Sequence, residues 1–198
     1  MTTFFGRARD LSRLRTLLDA RRNIVLTGTF GSGRTALVRR LAESSAGAYH
    51  FVFLAGNETR REIDHQIRTA ASRFSGRVVG VLDDVAAVTS PRLRFLRAQV
   101  RADHASWLVI VERTVDVATL GRLRAALGAA GLVRLGPLSQ AATERWVAEW
   151  VRMRRLDWNS TEVRAFARAA HGYPLALRLS LDAAIRARRD TTAGEVDL

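Results

Sequence analysis

Residues 28–35 read Gly28-Thr29-Phe30-Gly31-Ser32-Gly33-Arg34-Thr35. The glycines and the terminal threonine follow the phosphate-binding pattern G-x-x-x-x-G-K-[ST] at every position but one, because Arg34 stands where the pattern asks for lysine. In such a loop the glycines let the backbone turn its amides toward phosphate oxygens, and the helix that follows adds its N-terminal dipole. Gly28, Gly31, Ser32, Gly33, Arg34, Thr35 and Ala36 are therefore the candidate polyphosphate contacts, and the Thr35 hydroxyl is a candidate ligand for Mg2+. Arginine is also a cationic phosphate ligand, but it is planar and bulkier than an ammonium. A Gly-rich turn without a ligand is the plain alternative.

A second constellation lies at Val78-Val79-Gly80-Val81-Leu82-Asp83-Asp84, an apolar run ending in two carboxylates. This is the layout of a Walker B strand. Asp83 would hold Mg2+ directly or through water, and Asp84 would polarise an attacking water. The alternative is a strand that ends in an ordinary acidic turn. Its place after a phosphate loop, with a helix, a strand and a helix between, favours the metal role.

Both constellations need strands that end at one edge and helices that begin there. The hydrophobic pattern predicts such an alternation. Leu11, Leu14, Leu17 and Leu18 fall at helical spacing over 8–20. Strands are expected at Asn23–Thr27, Ala48–Leu54, Val78–Asp83, Trp107–Val111 and Leu132–Leu135. Helices are expected from the loop to about Glu43, over 58–74, from Pro91 to about Ala102, and near 117–129. After Gly136-Pro137 three helices follow without a strand, near 140–155, 160–170 and 174–188, with Ser139 as the first N-cap. The division is thus an α/β core at 1–136, a helical lid at 137–189 and a flexible tail at 190–198.

The 198 residues are 47% hydrophobic, which is enough for a substantial core. Cysteine is absent, which rules out disulfides and thiolate metal sites and suits a cytoplasmic setting. The N-terminus reaches charge too soon for a signal peptide, and the apolar runs are strand-sized, so no membrane span is expected. The net charge is +13, from 32 basic and 19 acidic residues, and every basic residue is arginine. Wholesale use of arginine reads as codon bias in a GC-rich genome. The charge also invites an acidic partner or nucleic acid, although no block of like charge and no basic aromatic stretch marks a stacking platform.

Other groups suggest less. His50, His65, His104 and His171 have no ligand spacing. Trp146 and Trp150 lie one helical turn apart and read as packing residues or a partner hot spot. Arg92, Arg94, Arg97 and Arg101 crowd one helix, as a solvated face, an arginine finger acting in trans, or a nucleic-acid contact.

These motifs, in this order, resemble the nucleotide-binding module of the STAND class of P-loop ATPases. They are similar to the NB-ARC domain and to the ATPase domains of large bacterial transcriptional regulators, and more distantly to the AAA+ fold. Phe4-Phe5-Gly6-Arg7-Ala8-Arg9-Asp10-Leu11 resembles the family's opening hydrophobic-Gly-Arg element, with Asp10 where glutamate is usual. Leu108-Val109-Ile110-Val111-Glu112-Arg113 resembles the sensor strand, with Val111 and Glu112 in place of hydroxyl residues. Val133-Arg134-Leu135-Gly136-Pro137-Leu138-Ser139 resembles the start of the helical subdomain, and Gly172-Tyr173-Pro174-Leu175-Ala176-Leu177 its Gly-Leu-Pro-Leu element.

The resemblance implies a five-stranded parallel sheet of order 5-1-4-3-2. It implies that Phe5, Gly6, Arg7 and Pro174 lie near the base and that Arg113 senses the γ-phosphate. It implies ATP or ADP as ligand, with GTP open on the residues alone, and a module that switches with nucleotide state to direct a protein partner or self-assembly. Turnover is expected to be slow, since lysine, sensor hydroxyl and a glutamate base are all missing and each lost transition-state contact costs about 10²–10³ in rate. A degenerate P-loop scaffold and a DNA-binding ATPase are the rival readings. The family continues into a winged helix and sensor repeats, so the sequence ending at Leu198 is expected to be a minimal module or one part of a larger assembly.

Overall fold

A computed structural model describes residues 5–45, 47–54, 58–83, 88–112 and 115–194. Within them five strands alternate with helices: α1 (Ala8–Asp19), β1 (Ile24–Gly28), α2 (Arg34–Ser44), β2 (Tyr49–Leu54), α3 (Arg60–Arg73), β3 (Arg77–Leu82), α4 (Ser90–Ala102), β4 (Ser106–Glu112), α5 (Val117–Ala126) and β5 (Gly131–Leu135). Three further helices follow: α6 (Gln140–Met153), α7 (Ser160–Ala169) and α8 (Pro174–Gly194). The last helix runs past the tail boundary at 189. Alanine and arginine, both good helix formers, fill much of its last stretch, and no glycine or proline interrupts it before Gly194.

The strands form one parallel sheet of order β2-β3-β4-β1-β5. This is the expected order 5-1-4-3-2, with β4 between the two motif-bearing strands. β1 is buried at all five positions, and β4 at its five central positions, because helices cover both faces. On one face Ile63 and Ile67 of α3, Leu93 and Leu96 of α4, and Leu120 and Leu123 of α5 pack with Val25, Val109 and Trp107. Gly80 makes room for that tryptophan, since a Cβ there would lie 2.9 Å from its ring.

By its contacts the chain divides into two compact units. One, α/β, holds Ala8–Phe30 and Arg34–Gly136. The other, helical, holds Met1–Arg7, Gly31–Gly33 and Pro137–Leu198. The division at Gly136–Pro137 separates sheet from helices, but the opening residues and the tip of the glycine loop group with the helical unit rather than with the sheet. In the helical unit Val147, Val151, Ala167, Leu177 and Leu181 form the core, with Trp146, Trp150 and Trp158 packed against it.

Candidate phosphate-binding site

Five helices close their own N-termini. Thr59, Thr89, Asp116, Ser139 and Asn159 accept hydrogen bonds from first-turn amides of α3, α4, α5, α6 and α7, which satisfies donors that a helix cannot pair internally. Among the described residues no side chain does this for α2. Its start is instead approached through the glycine loop, where Gly31 and Gly33 take φ of +74° and +89°. These left-handed conformations suit glycine and turn successive amides to one side. Ser32 is 1% exposed, and its hydroxyl, like that of Thr27 on β1, is buried without a hydrogen-bond partner among the described residues. A helix start without a side-chain cap and a buried hydroxyl without a partner are each groups from which a phosphate accepts hydrogen bonds.

Arg34 opens α2, and its guanidinium turns to the ends of the strands. Nη1 donates to the Gly28 carbonyl at 2.8 Å and to the Val111 carbonyl at 2.6 Å. Nη2 lies 3.7 Å from the Glu112 carboxylate, and the Arg34 side chain is 10% exposed. Gly28 and Glu112 face each other across β1 and β4, so one side chain bridges the last registered pair of those strands. Sequence reasoning noted Glu112 only as a lost sensor hydroxyl. That it lies beside Arg34 follows from strand order and register, which the motif alone does not supply.

In the helical unit, the loop tip rests on α8. The Leu175 amide donates to the Gly31 carbonyl at 3.2 Å. Pro174, which has no amide to satisfy, occupies the first helical position. A Cβ on Gly31 would lie 2.7 Å from that of Leu175, and one on Gly33 would lie 3.7 Å from Pro174. Arg7 is buried and donates from Nη2 to the Ser32 carbonyl at 3.0 Å. Gly6 has φ +68°, and a Cβ there would lie 2.5 Å from that of Ala142. The Phe5 ring stacks on Trp146 with centroids 6.4 Å apart. Trp146 is thus tied to packing inside this unit.

The remaining expected residues are placed as follows. Thr35 and Ala36 lie in the first turn of α2. Asp83 directly follows β3 and is half-buried. Thr35 and Asp83 offer hydroxyl and carboxylate oxygen, the hard donors that Mg2+ prefers; Asp83 comes just past β3, and Thr35 lies at the start of the helix that follows β1. Asp84 and Arg113 lie outside the described residues. Phe30, in the loop, is 76% exposed. Among the described residues no cluster of three histidine, cysteine or acidic side chains is placed to hold a metal by itself. No helix there is long and apolar enough to cross a membrane.

No protein-family model and no curated protein sequence matches the chain. Solved structures do match in fold. A chain of the E. coli MS115-1 HORMA:CdnC:Trip13 complex aligns with a TM-score of 0.62 and 16% identity, over 84% of this chain and 73% of that one. The Thermotoga maritima RuvB Holliday junction branch migration motor aligns with a TM-score of 0.62 and 14% identity, over 87% of this chain and 60% of that one. A variant of the same RuvB gives a TM-score of 0.65 and 16% identity, over 89% and 61%. The fold is that of an AAA+-like P-loop NTPase. The chain spans about three fifths of the length of the RuvB chains.

Proposed function

We propose that this chain binds ATP with Mg2+ as a STAND-like module, hydrolyses it slowly, and acts as a nucleotide-dependent switch or assembly component. The observation that carries this reading is the left-handed glycine loop that leads into α2, a helix without a side-chain cap among the described residues, together with the Ser32 hydroxyl of that loop, buried and without a partner among the described residues. Under this reading the amides of residues 31–36 hold the phosphates. Thr35 and Asp83 hold Mg2+, which when bound neutralises phosphate charge. Phe5, Gly6, Arg7 and Pro174 lie toward the base, Asp84 orients water, and Arg113 contacts the γ-phosphate. Slow turnover follows from Arg34 in place of lysine and a carboxylate, Glu112, in place of a sensor hydroxyl. A protein partner or a second copy would read the nucleotide state, which requires that the ligand favour one of two arrangements.

The test is calorimetric titration of the full chain with ATP, ADP and GTP, with and without Mg2+, alongside mass spectrometry of nucleotide carried through purification. Saturable ATP binding that Mg2+ tightens, and that Thr35→Ala and Asp83→Asn weaken at least tenfold, is expected. Absence of binding at millimolar nucleotide refutes the reading.

One observation favours a second reading, a P-loop scaffold without nucleotide. Arg34 already spends its guanidinium on two backbone carbonyls and a carboxylate. The same titration separates the two, since the scaffold binds no nucleotide.

A further inference from the structure

Helices α4 and α5 differ from the other six described helices. Each of the others carries at least one Asp or Glu within its span, whereas α4 (SPRLRFLRAQVRA) and α5 (VATLGRLRAA) carry none. Together they hold six arginines, and they pack side by side on one face of the sheet. Leu93 and Leu96 turn α4 toward the core, which leaves Arg94, Arg97 and Arg101 exposed on its outer side.

Most of the neighbouring acids are already engaged. Asp64 of α3 pairs with Arg68 at 2.9 Å and accepts from Gln99 of α4 at 3.2 Å. Glu62 accepts from the Thr59 amide at 2.6 Å, and that hydrogen bond holds its carboxyl below the usual range. Asp116 accepts from the Thr119 amide at 2.8 Å, and hydrogen bonding to Thr119 likewise lowers its pKa. Asp103, at the C-terminal end of α4, is exposed and forms no ion pair with Arg101 among the described residues. Arg94, Arg97 and Arg101 therefore form a ridge of positive charge with no ion pair to an acidic side chain among the described residues.

We propose that this ridge, with the exposed Arg122 of the neighbouring helix α5, binds the phosphate backbone of a nucleic-acid duplex without reading its sequence. Helical rise puts Arg94 and Arg101 on one side of α4 about 10 Å apart. One strand of a duplex presents a phosphate every ~3.4 Å along the axis, so the pair brackets about three phosphate steps. An acidic protein fits less well. The centre of a protein interface draws on aromatic and aliphatic anchors, and among the described residues the exposed large apolar side chains (Phe30, Phe53, Val117, Met153 and Leu179) include none on α4 and only Val117, at the first position, on α5. Backbone binding needs cations alone. This inference does not depend on the nucleotide site.

The test is fluorescence anisotropy of the full chain with labelled DNA and RNA duplexes, between about 50 and 200 mM salt. The wild type should bind more weakly as salt rises. The combined variant Arg94→Gln, Arg97→Gln, Arg101→Gln should lower the slope of log K against log salt by about 2–3 and cut affinity at least tenfold. Arg97→Gln alone should lower the slope by about 1, which keeps the test readable if the triple variant melts early. A charge-matched control, Arg15→Gln, Arg39→Gln, Arg40→Gln on α1 and α2, should stay within about threefold of wild type, because it leaves all of the ridge contacts in place. Loss of wild-type binding to one duplex type but not the other identifies the natural duplex and supports the proposal. An equal loss in the control, an unchanged slope, no wild-type binding at low salt, or poly-glutamate competing better than unlabelled duplex would each overturn it.

Discussion

Arg34 and Glu112 form an ion pair at 3.7 Å. Arg34 stands where the phosphate-loop pattern asks for lysine, and Glu112 stands where the resemblance to a sensor strand leads to the expectation of a hydroxyl. The guanidinium reaches across from α2 to the ends of β1 and β4 because it also donates to the Gly28 and Val111 carbonyls. A lysine has one nitrogen and no planar fork, and cannot reproduce this arrangement.

Truncating Arg34 should therefore have two effects. Arg34→Ala leaves two strand-end carbonyls without their donor, which should cost about 1–3 kcal/mol in urea unfolding, and it should weaken triphosphate binding. Arg34→Lys should retain triphosphate affinity and keep or raise ATPase activity, since an ammonium suits the loop. If neither substitution moves affinity or turnover, Arg34 is not a phosphate ligand.

Glu112→Gln separates structure from site. A long ion pair with a partly exposed carboxylate contributes little to folding, about 0–1 kcal/mol. The amide should thus leave the melting temperature nearly unchanged. It should raise ATP affinity several-fold, because a carboxylate beside the phosphates is removed and Arg34 is released from it. Unchanged affinity, measured by titration against wild type, would show that Glu112 does not hold Arg34 back.

The two loop glycines should differ in their tolerance. Gly31→Ala combines a φ of +74° with a Cβ 2.7 Å from that of Leu175, and should cost about 2–4 kcal/mol through strain and overpacking. Gly33→Ala meets only Pro174, at 3.7 Å, so strain alone should cost about 1–2 kcal/mol. Thermal denaturation of both variants gives the ranking, and the reverse order would contradict the contact with α8.

Tyr49 supplies a pH signature. It is buried on β2 and donates to Asp19; burial first, then that carboxylate, raise its pKa above 10.0. The folded state holds this proton more tightly than the unfolded chain does. The resulting stability is fully present below pH 10 and is lost as pH rises through the raised value. The chain contains no lysine or cysteine and only two tyrosines, so few other groups titrate there. Melting temperature should fall above about pH 10 in the wild type and fall less in Tyr49→Phe, which should itself cost about 1 kcal/mol at neutral pH. Parallel curves for the two proteins would remove Tyr49 from the account.

The sheet was legible because each buried strand is a short apolar run bounded by a turn or a charge. Ile24–Gly28 and Ser106–Glu112 are of this kind. The glycine loop was legible from spacing. The direction of Arg34 was not, because it depends on β4 lying next to β1 and on a register that pairs Gly28 with Glu112. The Gly31–Leu175 contact was hidden for a related reason. Two residues far apart in sequence meet only when α8 begins at the loop, and neither residue's identity demands that.

The grouping of Gly31–Gly33 with the helical unit means that the backbone passes between units at four points, after residues 7, 30, 33 and 136. The junction at Gly136–Pro137 is consequently a poor place to cut. A fragment ending there would keep the whole sheet and the motif in sequence, yet it would strip Gly31 of the Leu175 amide and of the side chain that rests against it. Gly31, Ser32 and Gly33, which the proposed function assigns to the anion cradle, group by their contacts with a part of the protein that such a fragment discards.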